Sequence, residues 1–134
     1  MDISNKLYLS ALKIRKNAYA PYSNFMVGAS LLADNQQIYN GCNVENISFP
    51  CGTCAEAGAI ASMISDGGKK ILEILIIADS KKLITPCGAC LQRIAEFSDN
   101  NTIIHLANLS GIQQTLRLQE MLPYGFNSEE LKKW

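Results

Sequence analysis

The sequence predicts an α/β fold: helices packed on both faces of a mixed five-stranded sheet, in three layers. Three observations carry this. Strand and helix patterns alternate through the middle of the chain. Leu72 to Ala78 is rich in isoleucine and leucine and bounded by charge, the mark of a buried central strand. The 134 residues suffice for one domain, spanning 1–134, that buries its own core without disulfides.

The elements follow in order. Leu7, Ala11, Ile14 and Ala18 fall at spacings that mark one face of an amphipathic helix, which Pro21 ends because the residue before proline is pushed out of the helical region. Met26 to Leu32 reads as a strand, Asp34-Asn35 as a turn, and Ile38 to Cys42 as the returning strand of a hairpin. Residues 43–50 carry polar groups and Pro50 and read as a loop. A helix is expected from Ala55 to Ser65, with Ile60 and Ile64 one turn apart, stopped by Gly67-Gly68. After the central strand, a second helix should begin near Cys87 and run to Phe97, with Asp99-Asn100-Asn101 as its exit. Thr102 to Ala107 and Ile112 to Leu118 complete five strands. Leu122 to Phe126 is turn-like, and Ser128 to Trp134 is expected to form a last helix capped by Ser128. There is no internal repeat, low-complexity stretch or linker.

Composition narrows the function. Lysine and arginine total 12 and aspartate and glutamate total 12, so no net field gathers nucleic acid or an anionic membrane. The Lys69-Lys70, Lys81-Lys82 and Lys132-Lys133 doublets read as solvated surface. The longest apolar run, Ile74 to Ala78, is too short to cross a bilayer. Met1-Asp2-Ile3-Ser4-Asn5 lacks a basic head followed by an apolar run, so the expectation is no signal peptide and a cytoplasmic protein. Five cysteines, an odd number, then favour reduced, metal-binding or buried thiols over a disulfide framework.

Those thiols are the chemistry. Cys87 and Cys90 are three apart and share one face at a helix start, where orphan amides and the helix dipole favour the thiolate. Cys54 precedes another helix and gains the same benefit. Three thiols leave the fourth position of a Zn²⁺ ion open, as in a catalytic site, and Glu56 stands close enough to work there if Cys54 is the cap and Glu56 lies in the first turn. The rival reading is a closed Cys₄ site, because Cys51-Gly52-Thr53-Cys54 is itself a Cys-x-x-Cys pair. Against it, the segment between the pairs holds a helix and a core strand, Glu56 has no role in a closed site, and this chain needs no metal as its core. Cys42 fits neither set and reads as a small buried residue.

Cys54-Ala55-Glu56 with Pro86-Cys87-Gly88-Ala89-Cys90 resembles the signature of the zinc-dependent nucleoside and nucleobase deaminases. Tyr19-Ala20-Pro21-Tyr22-Ser23-Asn24-Phe25, Val27-Gly28-Ala29, Gly41-Cys42-Asn43-Val44-Glu45-Asn46, Gln92, Glu96-Phe97, Leu122-Pro123 and Phe126 are similar to one branch, the small homotetrameric cytidine deaminases. The resemblance implies one Zn²⁺ per chain, held by Cys54, Cys87 and Cys90, which activates a water for attack at C4 of cytosine. It implies Glu56 as the proton shuttle, Asn43 and Glu45 on the ribose 3′-hydroxyl, the Ala55 amide on the pyrimidine O2, Phe25 beside the base, and Phe126 of a neighbouring subunit stacked on it. On residues alone, both phenylalanines read as core or interface packing, and Asn43 and Glu45 as polar loop residues.

Two positions depart from the family pattern. Members with three zinc thiolates usually carry arginine after the catalytic glutamate, where this chain has Ala57; Arg93, one helical turn beyond Cys90, is the nearest substitute in sequence. Phe49 stands where tyrosine is common. The expectation is a homotetrameric deaminase of free cytidine and 2′-deoxycytidine in pyrimidine salvage, with shared sites and no nucleic-acid or membrane partner. The alternatives are a deaminase of another cytosine-bearing compound, such as an aminoacylnucleoside antibiotic, and a non-catalytic zinc-stabilised scaffold.

Overall fold

The isoleucine-rich stretch forms the middle of the molecule. In the computed structural model, which describes residues 1–131 apart from the side chain of Glu130, it is strand β3 (Ile71–Ala78). Strands β1 (Val27–Ala33), β2 (Ile38–Cys42), β4 (Ile103–Asn108) and β5 (Gly111–Arg117) complete one sheet in the order β2-β1-β3-β4-β5. β3 and β4 run parallel, and the other three pairings are antiparallel. A parallel pair needs a crossover. Helix α3 (Gly88–Glu96) supplies it.

Alternation along β3 builds the layers. Ile74 and Ile76 point to one face, where they join Ala59, Ile60 and Met63 of helix α2 (Ala55–Ser65) and Leu91 and Ile94 of α3. Leu75 and Ile77 point to the other, where Leu7 and Ala11 of helix α1 (Ile3–Arg15) cover them. Each such fully buried leucine or isoleucine stabilises the fold by roughly 2 kcal/mol. The mixed five-stranded sheet with helices on both faces is therefore as expected. The single histidine, His105, is buried in β4 between Thr115 (2.8 Å) and Glu73 (2.9 Å). Its neighbours Ile104 and Leu106 face α2 and α3, so His105 faces the α1 side, away from the cysteines.

Several boundaries differ from expectation, for local reasons. α1 stops at Arg15, not at Pro21, because Tyr19 leaves to pair with the 43–45 segment: its N–H donates to Asn43 O at 2.9 Å. Its start is capped by Asp2, whose carboxylate accepts from the Asn5 N–H at 2.9 Å. On α2, Ile64 is 46 % exposed, and the buried face is Ala55, Glu56, Ala59, Ile60 and Met63. Gly67 ends α2 with φ +93°, a conformation that suits glycine. A four-residue helix, α4 (Leu118–Met121), follows β5 unforeseen; the Glu120 carboxylate caps it by accepting from the Arg117 N–H at 2.9 Å. The expected last helix is a 3₁₀ turn over Ser128–Glu130, capped by the Asn127 side chain instead of Ser128; Lys132, Lys133 and Trp134 lie outside the described residues. Lys69, Lys70, Lys81 and Lys82 are exposed, and Cys42 is half-buried rather than buried. No helix among the described residues is long and apolar enough to cross a membrane.

One close approach fixes where α2 begins. A Cβ at Gly41 of β2 would lie 2.3 Å from Ala55 O and 2.4 Å from Ala59 N, both backbone atoms of α2. Only glycine lets the first turns of α2 lie against the strand. Gly41→Ala should therefore destabilise the protein by roughly 3 kcal/mol, since neither backbone can yield cheaply. A urea titration checks this through a lower midpoint at unchanged slope.

Candidate metal centre and substrate pocket

α2 and α3 start with a cysteine at the cap. Cys54 has extended backbone (φ −83°, ψ 162°), and its Sγ accepts from the Ala57 N–H at 3.4 Å. Cys87 has the same geometry (φ −69°, ψ 168°), and its Sγ accepts from the Cys90 N–H at 3.4 Å. Sulfur thus does at both helices what a serine or aspartate oxygen ordinarily does. Cys90 is buried one turn inside α3, and its thiol donates to Cys54 Sγ at 2.8 Å. Glu56, in the first turn of α2, is only 4 % exposed. The Cys54 and Cys90 sulfurs and a Glu56 carboxylate oxygen all lie within 4.8 Å of one another.

Cys87 is exposed and stands outside that tightest group, joined to it through the Cys90 amide. Arg93 reaches in from the third position beyond Cys90: its Nη1 is 3.8 Å from both Cys54 Sγ and Cys90 Sγ. Cys51 points elsewhere, to Ser48 Oγ at 3.5 Å, and is exposed on the 3₁₀ turn Phe49–Cys51.

The environments separate these groups chemically. The hydrogen bond from Cys90, then the Ala57 amide and the Arg93 charge, overcome burial and bring the Cys54 thiol down to about 6. Cys90, as the donor in that bond and buried, is held strongly towards its protonated form. Burial, then the neighbouring Cys54 charge, raises Glu56 above the ordinary carboxylate range. The donor set fits zinc: soft sulfurs at two helix N-termini, one with a lowered pKa, and a buried carboxyl group alongside. No histidine shares this face.

A cavity of about 430 Å³ opens onto Cys54, lined also by Tyr22, Ser23, Asn43, Glu45, Phe49 and Thr53. The 43–45 segment is more than a loop. Val44 pairs with Thr53 through reciprocal backbone bonds of 3.0 and 2.9 Å, and the Glu45 N–H donates to Tyr19 O at 2.8 Å. These bridges hold Asn43 and Glu45 beside Cys54. Asn43 is itself fixed, its Oδ1 accepting from Val27 N–H (2.9 Å) and its Nδ2 donating to Phe25 O (2.8 Å). The Glu45 carboxylate accepts from the Ser23 hydroxyl and from the amides of Tyr22 (2.9 Å) and Ser23 (3.2 Å). The Ser23 hydroxyl first, then these amides, hold Glu45 below the ordinary carboxylate range. Ser23 and Thr53 are site-shaping residues that the sequence reading missed; the turn after Pro21 was the available signal for Ser23.

Ala55 is buried at the first position of α2. Phe25 is 37 % exposed at the end of the segment that Asn43 holds. Phe49 is 73 % exposed at the cavity rim, with its ring centroid 6.1 Å from that of Tyr22. Phe126 does not reach this cavity. It lines another, along α3 and the C-terminal segment, where its carbonyl accepts from Gln92 Nε2 at 2.6 Å.

Known proteins resemble this chain in sequence and fold. Residues 1–106 match the family model described as the cytidine and deoxycytidylate deaminase zinc-binding region. The chain is 40 % identical over 131 residues to a cytidine deaminase of Sporosarcina psychrophila, covering 98 % of this chain and 96 % of that protein. It is 38 % identical over 125 residues to one of Halalkalibacterium halodurans, covering 93 % and 95 %. The crystal structure of the cytidine deaminase from Burkholderia pseudomallei superposes with a TM-score of 0.87 at 34 % identity, covering 94 % of this chain and all of that one.

The cysteine geometry makes a test by metal analysis. Serine at Cys54, Cys87 or Cys90 should abolish stoichiometric zinc after dialysis. Cys51→Ser should retain the wild-type content, whereas its loss of zinc would point to a four-sulfur site.

Proposed function

The chain belongs to the zinc-dependent cytidine and deoxycytidylate deaminase family, and from that premise we propose how its site works: hydrolytic deamination of cytidine and 2′-deoxycytidine to uridine and 2′-deoxyuridine, with release of ammonia. The observation that carries this reading is Cys54, which lines the substrate-sized cavity and also belongs to the thiol and carboxylate cluster.

Cys54, Cys87 and Cys90 would hold the Zn²⁺ ion. When bound, zinc supplies the Lewis acidity that makes water a nucleophile near neutral pH. Glu56 does the proton work. Its buried carboxylate accepts a proton from the water that adds at C4 and delivers it to the pyrimidine N3; it then takes the second proton from the new C4 hydroxyl and passes it to the C4 amine, so that the C4–N bond breaks, C4=O forms and ammonia leaves. Burial and the neighbouring Cys54 raise the affinity of Glu56 for protons, the direction that suits a group which must take up a proton and hand it on. Glu45, kept ionised by Ser23 and the Tyr22 amide, is suited to accept from the ribose 3′-hydroxyl. Asn43, clamped between Val27 and Phe25, fixes the wall beside it. The first amide of α2, at Ala55, is an orphan donor of the kind that binds a carbonyl such as the pyrimidine O2.

The substrates are free nucleosides of pyrimidine salvage, in the cytoplasm. The balanced charge supports this, because a polynucleotide deaminase needs a basic track. The assembly is a homotetramer with shared sites. Exposed apolar side chains around the cavity and beyond it support contact between copies: Phe49 is 73 %, Ile47 75 % and Phe126 61 % exposed. Phe25 and the partner subunit's Phe126 then pack against the base.

Glu56→Gln tests the mechanism, because it keeps shape and removes the proton carrier. Its turnover of cytidine, followed by loss of cytosine absorbance, should fall by about a thousandfold or more while zinc content stays at the wild-type level. Near-normal turnover in the zinc-loaded variant contradicts the role of Glu56, and a zinc-loaded wild type inert towards cytidine contradicts the reaction.

A further inference from the structure

The sulfurs of the cluster differ in who donates to them. Cys54 and Cys87 stand at helix caps, where first-turn amides point outward, and each takes one: Ala57 N–H and Cys90 N–H. Cys90 stands inside the helix, at its third position. Its own N–H goes to Cys87, and the next, Leu91 N–H, closes the helix onto Cys87 O at 2.9 Å. Arg93 Nη1 donates to Cys90 Sγ at 3.8 Å. The same nitrogen is 3.8 Å from Cys54 Sγ, so one guanidinium spans the start of α2 and the first turn of α3. Among the described residues no other lysine or arginine hydrogen-bonds either sulfur.

Charge gives that contact its meaning. Three thiolates around a divalent ion leave an excess negative charge, which weakens the ion's pull on a water's electrons, and partners that hydrogen-bond the ligands tune both that acidity and the metal affinity. The two helix dipoles offset part of this. α2 adds no cation of its own, since the residue after Glu56 is Ala57. Position 93 is one turn from Cys90 on the same helix face, which brings its guanidinium to the sulfurs. A guanidinium carries several donors in one plane and stays protonated, so it can serve two sulfurs at once where an ammonium acts as a point charge.

We propose that Arg93 is the positioning residue that neutralises the thiolate cluster, bridging Cys54 and Cys90 so that the ion is retained and its acidity towards water preserved. This rests on the three-thiol reading of the site given above. Arg93 touches neither substrate nor water in this role; it acts through the sulfurs.

Arg93→Met, which keeps the stem and removes the charge, and Arg93→Lys separate this role from packing. Zinc affinity is measured by competition with a chromogenic chelator, alongside kcat and KM for cytidine and the melting temperature of the metal-free chain. The methionine variant should bind zinc about 10–100-fold more weakly and lose about tenfold in kcat, with KM within about threefold and the metal-free melting temperature unchanged. The lysine variant should fall between. A methionine variant within about twofold of wild type in zinc affinity and kcat overturns the proposal. So does a loss confined to KM and to the stability of the metal-free chain, which would assign Arg93 to packing. A wild type that binds no zinc sinks the reading of the site itself, and this proposal with it.

Discussion

Two helices begin at one point, and each is capped by a sulfur. That constraint organises the rest of the molecule. Cys54 and Cys87 hold first-turn amides at 3.4 Å, so folding α2 and α3 already orients both sulfurs, and the amide bond helps to lower the pKa of Cys54. The fold brings the two starts together by separate means. α2 is seated by the Gly41 contact, which lets backbone meet backbone. α3 is seated by topology, because a parallel β3–β4 pair needs its crossover helix on one face of the sheet. Leu91 and Ile94 of α3 and Ala59, Ile60 and Met63 of α2 then share one core, so the site rests on the larger of the two apolar clusters among the described residues.

Two carboxylates illustrate how position decides chemistry. Glu45 and Glu56 flank Cys54 in sequence, yet their proton affinities are pushed in opposite directions. Glu45 lies in the cavity wall and accepts from the Ser23 hydroxyl and two amides, so it stays an acceptor. Glu56 is buried beside a negative sulfur, so it holds a proton more readily. Pairs whose environments separate their pKa values are where a fixed binding charge and a mobile proton can coexist. The bridge between Val44 and Thr53 keeps the two functions adjacent without letting them merge.

Most of this was legible because it depends on local signals. Apolar runs bounded by turn residues or charge located every strand, and the thiol positions at helix starts placed Cys54 at a cap with Glu56 in the first turn. What escaped depends on partners distant in sequence. The early end of α1 is set by Tyr19 pairing with residue 43, and the exposure of Ile64 by an alanine-rich contact face that Gly41 requires. The clamp of Ser23 on Glu45 joins two segments whose separate patterns are only those of turn and loop. Arg93 sat between these cases. Its spacing from Cys90 was visible, but its simultaneous reach to Cys54 depends on how two helices pack.

The central claim is that sulfur caps from two helices, with Cys90, make a three-thiolate site that leaves one position of the ion free. X-ray absorption at the zinc edge of the loaded wild-type protein measures this directly. The account predicts a first shell of three sulfurs and one oxygen or nitrogen. A shell of four sulfurs would contradict it, because Cys51 would then have turned from Ser48 to close the site.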